Sequence, residues 1–174
     1  MLSQKISTKK TVTDHLTKLG LVFVPTDMTG PAEAATVANA FPSLVVQSTN
    51  ARFPPQVEEL CKSTYEFALE HLPDSLNLLR PENSFDCIGI SCTSFSFMVG
   101  SERINATVKA SCPSARVVNM ADSLYKAAHK LGLRRPHLLT PYQTDINVVL
   151  KRNLSDAGFD VQRFRGLNDT VCHG

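Results

Sequence analysis

The stretch DCIGISCTSFSFMVG, residues 86–100, places an apolar run directly before a cysteine and two hydroxyl residues. The apolar run predicts a buried strand. The strand ends at Cys92, and Thr93 and Ser94 follow before a helix-like segment begins. A strand that only fills a core has no need of a thiol and two hydroxyls at its carboxyl end. The stretch therefore predicts a strand that carries functional groups to one edge of a sheet.

Apolar runs and amphipathic stretches alternate along the rest of the chain. We predict strands at 19–25, 43–49, 85–92, 115–120, 136–141 and 160–167. The helical spacing of apolar residues predicts helices at 31–41, 54–72, 94–112, 121–133 and 142–158. Residues 73–84 are predicted to form a linker. Successive β-then-α units with short connections are typical of a parallel α/β sheet that helices cover on both faces.

A parallel within the sequence suggests two related lobes. GLVFVPTDMT (20–29) and HLLTPYQTDIN (137–147) both run from a strand through a proline and polar residues to an aspartate and a helix. The first unit predicts a flavodoxin-like α/β lobe, and the second predicts the beginning of a similar one. The predicted division is a flexible N-terminus at 1–18, a first lobe at 19–134, a partial second lobe at 135–167 and a loose tail at 168–174.

The composition is that of an ordinary globular protein. Of the 174 residues, 43% are hydrophobic and 20% are charged, and the formal net charge is +2. The basic residues are scattered, so nucleic acid is not a predicted partner. No apolar run approaches the ~20 residues that a membrane span needs, and the N-terminus lacks the apolar core of a secretory signal. We predict a cytoplasmic protein without a membrane partner. The sequence leaves open whether the chain forms a homo-oligomer.

The cysteine pattern argues against a metal site and a disulfide framework. The five cysteines are Cys61, Cys87, Cys92, Cys112 and Cys172. None of them forms a CxxC pair, and no histidine lies at zinc-ligand spacing from them. GxGxxG and Walker loops are also absent from the sequence, so no nucleotide cofactor is predicted. We expect reduced thiols and no metal.

The position of Cys92 predicts an anion site with a nucleophile beside it. Ligands of open α/β sheets bind beyond the carboxyl ends of the strands, and amides at a helix start favour a thiolate and an anion. Polar residues also lie at the carboxyl ends of three other predicted strands: Thr26-Asp27 and Tyr142-Gln143 follow their strands, and Ser48-Thr49 end theirs. This convergence indicates a pocket. The alternative is that Cys92 is a small buried hydrophobe and that Thr93 or Ser94 only caps the helix.

Three segments resemble one known family. GISCTSFSFMVG (89–100) resembles the strand-Cys-Thr-Ser-aromatic motif of the aspartate/glutamate racemase superfamily. LGLVFVPTDMTGPAE (19–33) is similar to the opening strand and first substrate loop of its maleate cis-trans isomerase and arylmalonate decarboxylase branch. Residues 131–167 resemble the domain-crossing strand, Thr-Pro-Tyr turn and long helix of that branch. The segments follow the expected order and cover nearly all of the chain from about residue 19.

The resemblance implies two pseudo-symmetric lobes with an active site between them and no metal or organic cofactor. It implies a small carboxylic or dicarboxylic acid as substrate and Cys92 as the nucleophile. Thr93, Ser94 and Tyr142 would hold the substrate carboxylate and stabilise an enediolate-like anion. The full set that it places at the pocket is Pro25, Thr26, Cys92, Thr93, Ser94 and Tyr142.

Cys92 stands where the decarboxylase is expected to have glycine, which favours an isomerase or racemase. A catalytically impaired carboxylate-binding relative and an arylmalonate decarboxylase-like lyase are the alternatives. The loop around Met28 lacks the asparagine that the isomerases are expected to carry. No strand ends in a second cysteine, and Cys172 lies in the polar tail, so the chain resembles a C-terminally truncated member. We expect Cys92 to be alkylated fastest of the five thiols.

Overall fold

A computed structural model describes residues 16–56, 60–80 and 84–167. These residues form two parallel sheets, one with four strands and one with two. Most of the predicted N-terminus and all of the predicted tail, including Cys172, lie outside the described residues. Within the described part, no helix has the length and apolar character that a membrane span requires.

The larger sheet has the strand order β2-β1-β3-β4, and all three pairings are parallel. Its strands are β1 (Thr17–Phe23), β2 (Leu44–Asn50), β3 (Cys87–Ser91) and β4 (Arg116–Asn119). The helices that follow these strands are α1 (Gly30–Asn39), α2 (Lys62–Glu70), α3 (Leu72–Leu78), α4 (Thr93–Val99), α5 (Ser101–Ser111) and α6 (Met120–Lys130). The predicted α/β parallel-sheet fold is confirmed. The first strand begins at Thr17, two residues before the predicted start.

The smaller sheet continues the same pattern. Strand β5 (His137–Thr140) pairs in parallel with β6 (Arg163–Gly166), and helix α7 (Thr144–Asp156) connects them. This strand–helix–strand unit corresponds to the second half of the internal parallel in the sequence.

Helix α4 lies between two hydrophobic cores. Phe95 is 1% exposed and belongs to the core under the larger sheet, whereas Phe97 is 2% exposed and packs with Leu150 and Leu154 of α7. Residues two apart on a helix point about 200° apart, so the alternating SFSF segment serves both cores. The side-chain amide of Asn153 also donates to the carbonyl of Phe97 at 2.9 Å. The two sheets therefore meet at α4.

The prediction for residues 54–84 is wrong in two respects. Of residues 54–61, those that the structure describes form no regular helix, and α2 begins only at Lys62. Conversely, the predicted linker contains α3, with Pro73 in its first turn. Leu72 and Leu76 are fully buried, and their four-residue spacing directs both side chains to the core. Prolines at 73 and 81 flank this apolar spacing in the sequence, and a segment so flanked resembles a linker.

The single helix predicted at 94–112 is two helices. The chain turns at Gly100, which has φ 88° and ψ 144° and separates α4 from α5. A backbone with this positive φ is accessible to glycine and strained for other residues. The break allows α4 to remain short and to end inside the molecule.

Candidate active site

The carboxyl ends of β1 and β3 define the candidate site. The sheet order places β2 on one side of β1 and β3 on the other, so the direction of winding reverses between β1 and β3. Such a switch point is where open α/β sheets bind ligands. Phe23 pairs in register with Ser91. The loop that follows β1 and the Cys92 segment that follows β3 are therefore neighbours, as predicted.

Cys92 occupies the junction between β3 and α4. It is the N-cap residue of α4, with an extended backbone, and it is half-buried. Its Sγ atom accepts a hydrogen bond from the backbone N–H of Phe95 at 3.4 Å and lies 3.5 Å from Ser94 Oγ. Its carbonyl oxygen accepts from Ser96 Oγ at 2.7 Å. The thiol therefore both caps the helix and faces a hydroxyl group.

The thiol of Cys92 is stabilised in its protonated form. Burial raises its pKa above the ordinary value of 9.0, and the negative charge of Asp27 acts in the same direction. Hydrogen bonds from Ser94 and from the Phe95 amide favour the thiolate but offset burial only in part. The structure does not have the lowered pKa expected from the sequence. A thiol at this position is a proton donor at neutral pH and becomes a base or nucleophile after deprotonation.

Tyr65 of α2 is a member of the site that the sequence analysis missed. Its side chain is 1% exposed, and its hydroxyl donates to Ser94 Oγ at 2.7 Å. Burial raises the pKa of Tyr65 to about 12, so the phenol stays neutral and remains a donor. Because Ser94 Oγ accepts from Tyr65, its own proton is available to Cys92 Sγ. Helical spacing alone could indicate only that Tyr65 is buried.

Tyr142 brings the smaller sheet to the same place. It follows β5, it is half-buried, and it packs against both hydrophobic cores. Its side chain hydrogen-bonds with that of Thr93, while burial and the neighbouring Cys92 raise the pKa of Tyr142. Four of the six predicted residues are thus brought together. With Tyr65 they form the thiol–hydroxyl cluster, whose members are Tyr65, Cys92, Thr93, Ser94 and Tyr142.

The loop after β1 contributes differently from the prediction. Pro25 and Thr26 are exposed and lie in a turn. The turn is closed by a 2.9 Å hydrogen bond from the backbone N–H of Asp27 to the carbonyl oxygen of Val24. Asp27 is half-buried, and it is the residue of this loop whose charge reaches Cys92. Because aspartate is common in turns, the sequence could not separate this role from that of a turn residue.

No metal centre competes with this site in the part of the chain that the structure describes. Within residues 16–56, 60–80 and 84–167, no three His, Cys, Asp or Glu side chains are grouped as metal ligands would be. An open cavity of about 930 Å³ lies elsewhere, between α2, α3 and α5. Two of the charged groups there, Arg103 and Glu66, pair with each other through two hydrogen bonds of 2.8 and 2.7 Å. Because these two charges are already paired, neither is free to bind a charged ligand in that cavity.

Comparison with known proteins agrees with this architecture. Residues 19–172 match the family described as arylmalonate decarboxylase. The chain belongs to the arylmalonate decarboxylase family. This match confirms the family resemblance that the sequence motifs indicated. No significant match was found among curated proteins.

Solved structures similar to this arylmalonate decarboxylase family member include maleate isomerases. Maleate isomerase Iso from Pseudomonas putida has 16% sequence identity and a TM-score of 0.70, over 87% of this chain and 64% of that chain. A cysteine-to-serine mutant of Nocardia farcinica maleate cis-trans isomerase, with a covalently bound succinylcysteine intermediate, has 17% identity and a TM-score of 0.72 over the same shares. These likenesses establish the fold.

A decarboxylase is similar to this family member to a comparable degree. A glycine-to-cysteine mutant of arylmalonate decarboxylase, in a sulfate ion associated form, has 22% identity and a TM-score of 0.64, over 88% of this chain and 63% of that chain. The chain spans about 64% of the length of the two solved maleate isomerases described above.

Proposed function

We propose that this chain binds small carboxylic acids at the thiol–hydroxyl cluster and isomerises or racemises them through the Cys92 thiolate. The observation that supports this most directly is that one thiol and four hydroxyls, from α2, the start of α4 and the turn after β5, gather beside the switch point. Hydroxyl donors stabilise a carboxylate, and they stabilise an enediolate more strongly because it carries more negative charge. The site therefore favours chemistry that places charge on a carboxylate.

Two routes lead to such an anion. In the first, the Cys92 thiolate adds to the double bond of an unsaturated acid, and the electron pair of that bond moves into the carboxylate. Rotation about the resulting single bond and expulsion of the thiolate give the other geometric isomer. The succinylcysteine found in the Nocardia farcinica enzyme is the product of such a thiol addition, after protonation. In the second route, the thiolate removes an α-proton, and the thiol returns it.

The family match supports a second candidate, a decarboxylase. Loss of carbon dioxide from a malonate leaves an enediolate, so the same hydroxyls would stabilise it. The enediolate then needs a proton at its α-carbon. The raised pKa of Cys92 keeps the thiol protonated at neutral pH, which suits that donation. A relative that binds carboxylates without turning them over is a third candidate.

Replacement of Cys92 by alanine tests the proposed function. We expect the wild-type chain to catalyse cis-trans conversion of an unsaturated acid or α-proton exchange in deuterium oxide, followed by proton NMR. We expect Cys92→Ala to lose at least about 100-fold in rate, since it removes the nucleophile. Cys61→Ser is the matched control and is expected to retain activity. Carbon dioxide release from arylmalonates, measured in parallel, would favour the decarboxylase instead.

Two results would contradict the proposal. The first is equal turnover by the wild-type chain and Cys92→Ala. The second is the absence of any carboxylate that protects Cys92 from alkylation. Protection without turnover would favour the binding relative.

A further inference from the structure

A second cavity lies at the other end of α4 from Cys92. It has a volume of about 540 Å³ and lies between the α4–α5 junction, α6 and the last turns of α7. Gly100 and Ser101 line it on one side, and Tyr125 and Asp156 line it on the others. At a rise of about 1.5 Å per residue, α4 separates Gly100 from Cys92 by about 12 Å. The cavity is therefore distinct from the thiol–hydroxyl cluster.

The wall of this cavity is acidic. Glu102 and Asp156 line it, and Asp122 is bound to the lining residue Ser101, whose Oγ donates to Asp122 Oδ1 at 2.5 Å. In the described part of the chain, no salt bridge involves any of these three carboxylates, and none of the residues that line the cavity is basic. The cavity therefore presents negative charge to a ligand without a positive charge to balance it.

Two buried polar groups at this cavity lack a hydrogen-bond partner among the described residues. The first is the hydroxyl of Tyr125, a residue that lines the cavity. The second belongs to Asn119, which is 1% exposed. Asn119 Oδ1 accepts from the backbone N–H of Asp122 at 2.9 Å and lies 3.2 Å from Ser101 Oγ, but its Nδ2 has no acceptor. Buried polar groups are nearly always hydrogen-bonded, so two such groups beside one cavity indicate an occupant.

These groups define what the occupant must present. Burial raises the pKa of Tyr125 to about 12, and the charges of Asp122 and Asp156 act in the same direction, so the phenol remains a donor. The amide nitrogen of Asn119 is also only a donor. Both need an oxygen acceptor, whereas the carboxylates favour a cation. A molecule that carries an ammonium group and a hydroxyl or carbonyl oxygen meets both requirements.

Other kinds of occupant meet only part of these requirements. The described residues contain no group of three His, Cys, Asp or Glu side chains that could hold a metal ion. A carboxylic acid would be repelled by the three carboxylates. A water molecule would give the buried donors an acceptor but would leave the negative charge of the wall unbalanced.

We propose that the cavity between the α4–α5 junction, α6 and α7 binds a small organic ammonium compound that carries hydroxyl or carbonyl oxygens. The ammonium group would lie against Glu102 and Asp156, and an oxygen would accept from Tyr125. This site is independent of the carboxylate chemistry proposed for Cys92, so neither proposal depends on the other.

Three matched probes test the proposal: 3-amino-1,2-propanediol, glycerol and glycerate. The amine carries an ammonium group at neutral pH in place of one terminal hydroxyl of glycerol, and glycerate carries a carboxylate in place of one terminal alcohol group. The measurement is a titration followed by the backbone amide NMR signals of Gly100 and Ser101, which line the cavity. We expect the amine to bind at least about threefold more tightly than glycerol. Glycerate should leave these signals unchanged.

Two variants separate the contributions of the hydroxyl and the charge. Tyr125→Phe should weaken binding of the amine and of glycerol alike, by about threefold to tenfold, because it removes the donor to the oxygen. Asp156→Asn should weaken binding of the amine about threefold and leave that of glycerol unchanged. Glu33→Gln removes the same charge at an exposed position on α1 and should change neither. Tyr125→Phe removes an unpaired hydroxyl and Asp156 is exposed, so both variants should fold.

Three results would overturn the proposal. The first is that the amine does not shift the Gly100 and Ser101 signals. The second is that glycerol or glycerate binds as tightly as the amine. The third is that Tyr125→Phe and Asp156→Asn bind the amine as tightly as Glu33→Gln does.

Discussion

At the residue scale, the two thiols nearest to helix starts have opposite properties. Cys61 is the N-cap residue of α2, and hydrogen bonds from the hydroxyls of Ser63 and Thr64 lower its pKa to about 7. Cys92 is also an N-cap residue, but burial raises its pKa above 9.0. Both occupy the same kind of local position, so the difference arises from their surroundings in three dimensions.

This difference predicts the order of thiol modification. At pH 7 about half of the Cys61 side chains are thiolate, whereas Cys92 is almost entirely protonated. Iodoacetamide should therefore label Cys61 first, which reverses the order expected from the sequence. The labelling rate of Cys92 should still be rising as the pH passes 9. Peptide mass spectrometry at pH 6.5, 7.5 and 8.5 measures both rates, and faster labelling of Cys92 at pH 7 would contradict the prediction.

The phenol groups of Tyr65 and Tyr125 provide a second prediction. Tyr65→Phe removes the donor to Ser94 Oγ, so we expect the free energy of unfolding to fall by about 1 kcal/mol. Tyr125 is the matched control because its hydroxyl is buried without a hydrogen-bond partner in the described residues. Tyr125→Phe should be neutral or slightly stabilising, because it removes an unsatisfied polar group. Urea denaturation measures both, and equal losses would argue against a contributing Tyr65–Ser94 bond.

Three of the four cluster residues that the sequence predicted have a local role, and the role of the fourth, Tyr142, was predicted only from the family resemblance. Cys92, Thr93 and Ser94 are contiguous at a strand end, where their chemistry is visible in the sequence. Tyr65 lies 29 residues before its partner Ser94, and its place in a helical apolar pattern indicates only burial. Asp27 resembles an ordinary turn residue, and only the fold makes the loop after β1 a neighbour of the Cys92 segment after β3. Long-range partners of this kind need the fold.

At the element scale, strands were easier to predict than helix ends. Most of the six strands contain a short apolar run, as burial in a parallel sheet requires, although β6 reads RFRG. The ends of α2, α3 and α4 depend on where the chain can turn and on which leucines reach the core. Gly100 falls inside the single helix predicted at 94–112, and the sequence did not indicate that its backbone would end one helix and begin another.

Gly100 therefore provides a test at this scale. An added Cβ atom at Gly100 meets no atom within 4 Å, so the cost of Gly100→Ala is conformational. We expect a loss of about 1 to 3 kcal/mol in the free energy of unfolding, because φ 88° with ψ 144° is rarely accessible to alanine. Gly132, with φ 71° and equally open space, is the control, and Gly132→Ala should cost about 1 kcal/mol. Urea denaturation that found Gly100→Ala as stable as the unmodified chain would contradict the prediction.

At the scale of the whole molecule, the docking of α7 against α4 positions the site. The internal parallel in the sequence predicted a second strand–helix–strand unit, but it contained no information on how that unit packs. In the structure, Leu150 and Leu154 pack with Phe97, and the Asn153 amide bonds to the Phe97 carbonyl. Tyr142 precedes this same helix and meets Thr93. The position of Tyr142 should therefore depend on contacts that are several residues away.

Leu150→Ala tests whether this docking supports ligand binding. Leu150 is 3% exposed, so its truncation should lower the free energy of unfolding by about 2 to 5 kcal/mol. We expect the same contacts to hold Tyr142 against Thr93, so a small carboxylate such as butyrate should also protect Cys92 from alkylation less well in the folded fraction. Val148 is 64% exposed on the same helix. Val148→Ala should change the free energy of unfolding by no more than about 0.5 kcal/mol and should leave the protection of Cys92 unchanged.

The milder variant Leu150→Val separates the two effects if Leu150→Ala does not fold. Valine keeps part of the buried surface, so a folded protein with weaker protection of Cys92 would tie the carboxylate site to the α4–α7 contact. Protection equal to that of the unmodified chain, in a measurably destabilised variant, would instead mean that Tyr142 is positioned by its own turn. In that case the site would depend on the β3–α4 junction and α2 alone, and the smaller sheet would contribute stability without contributing to binding.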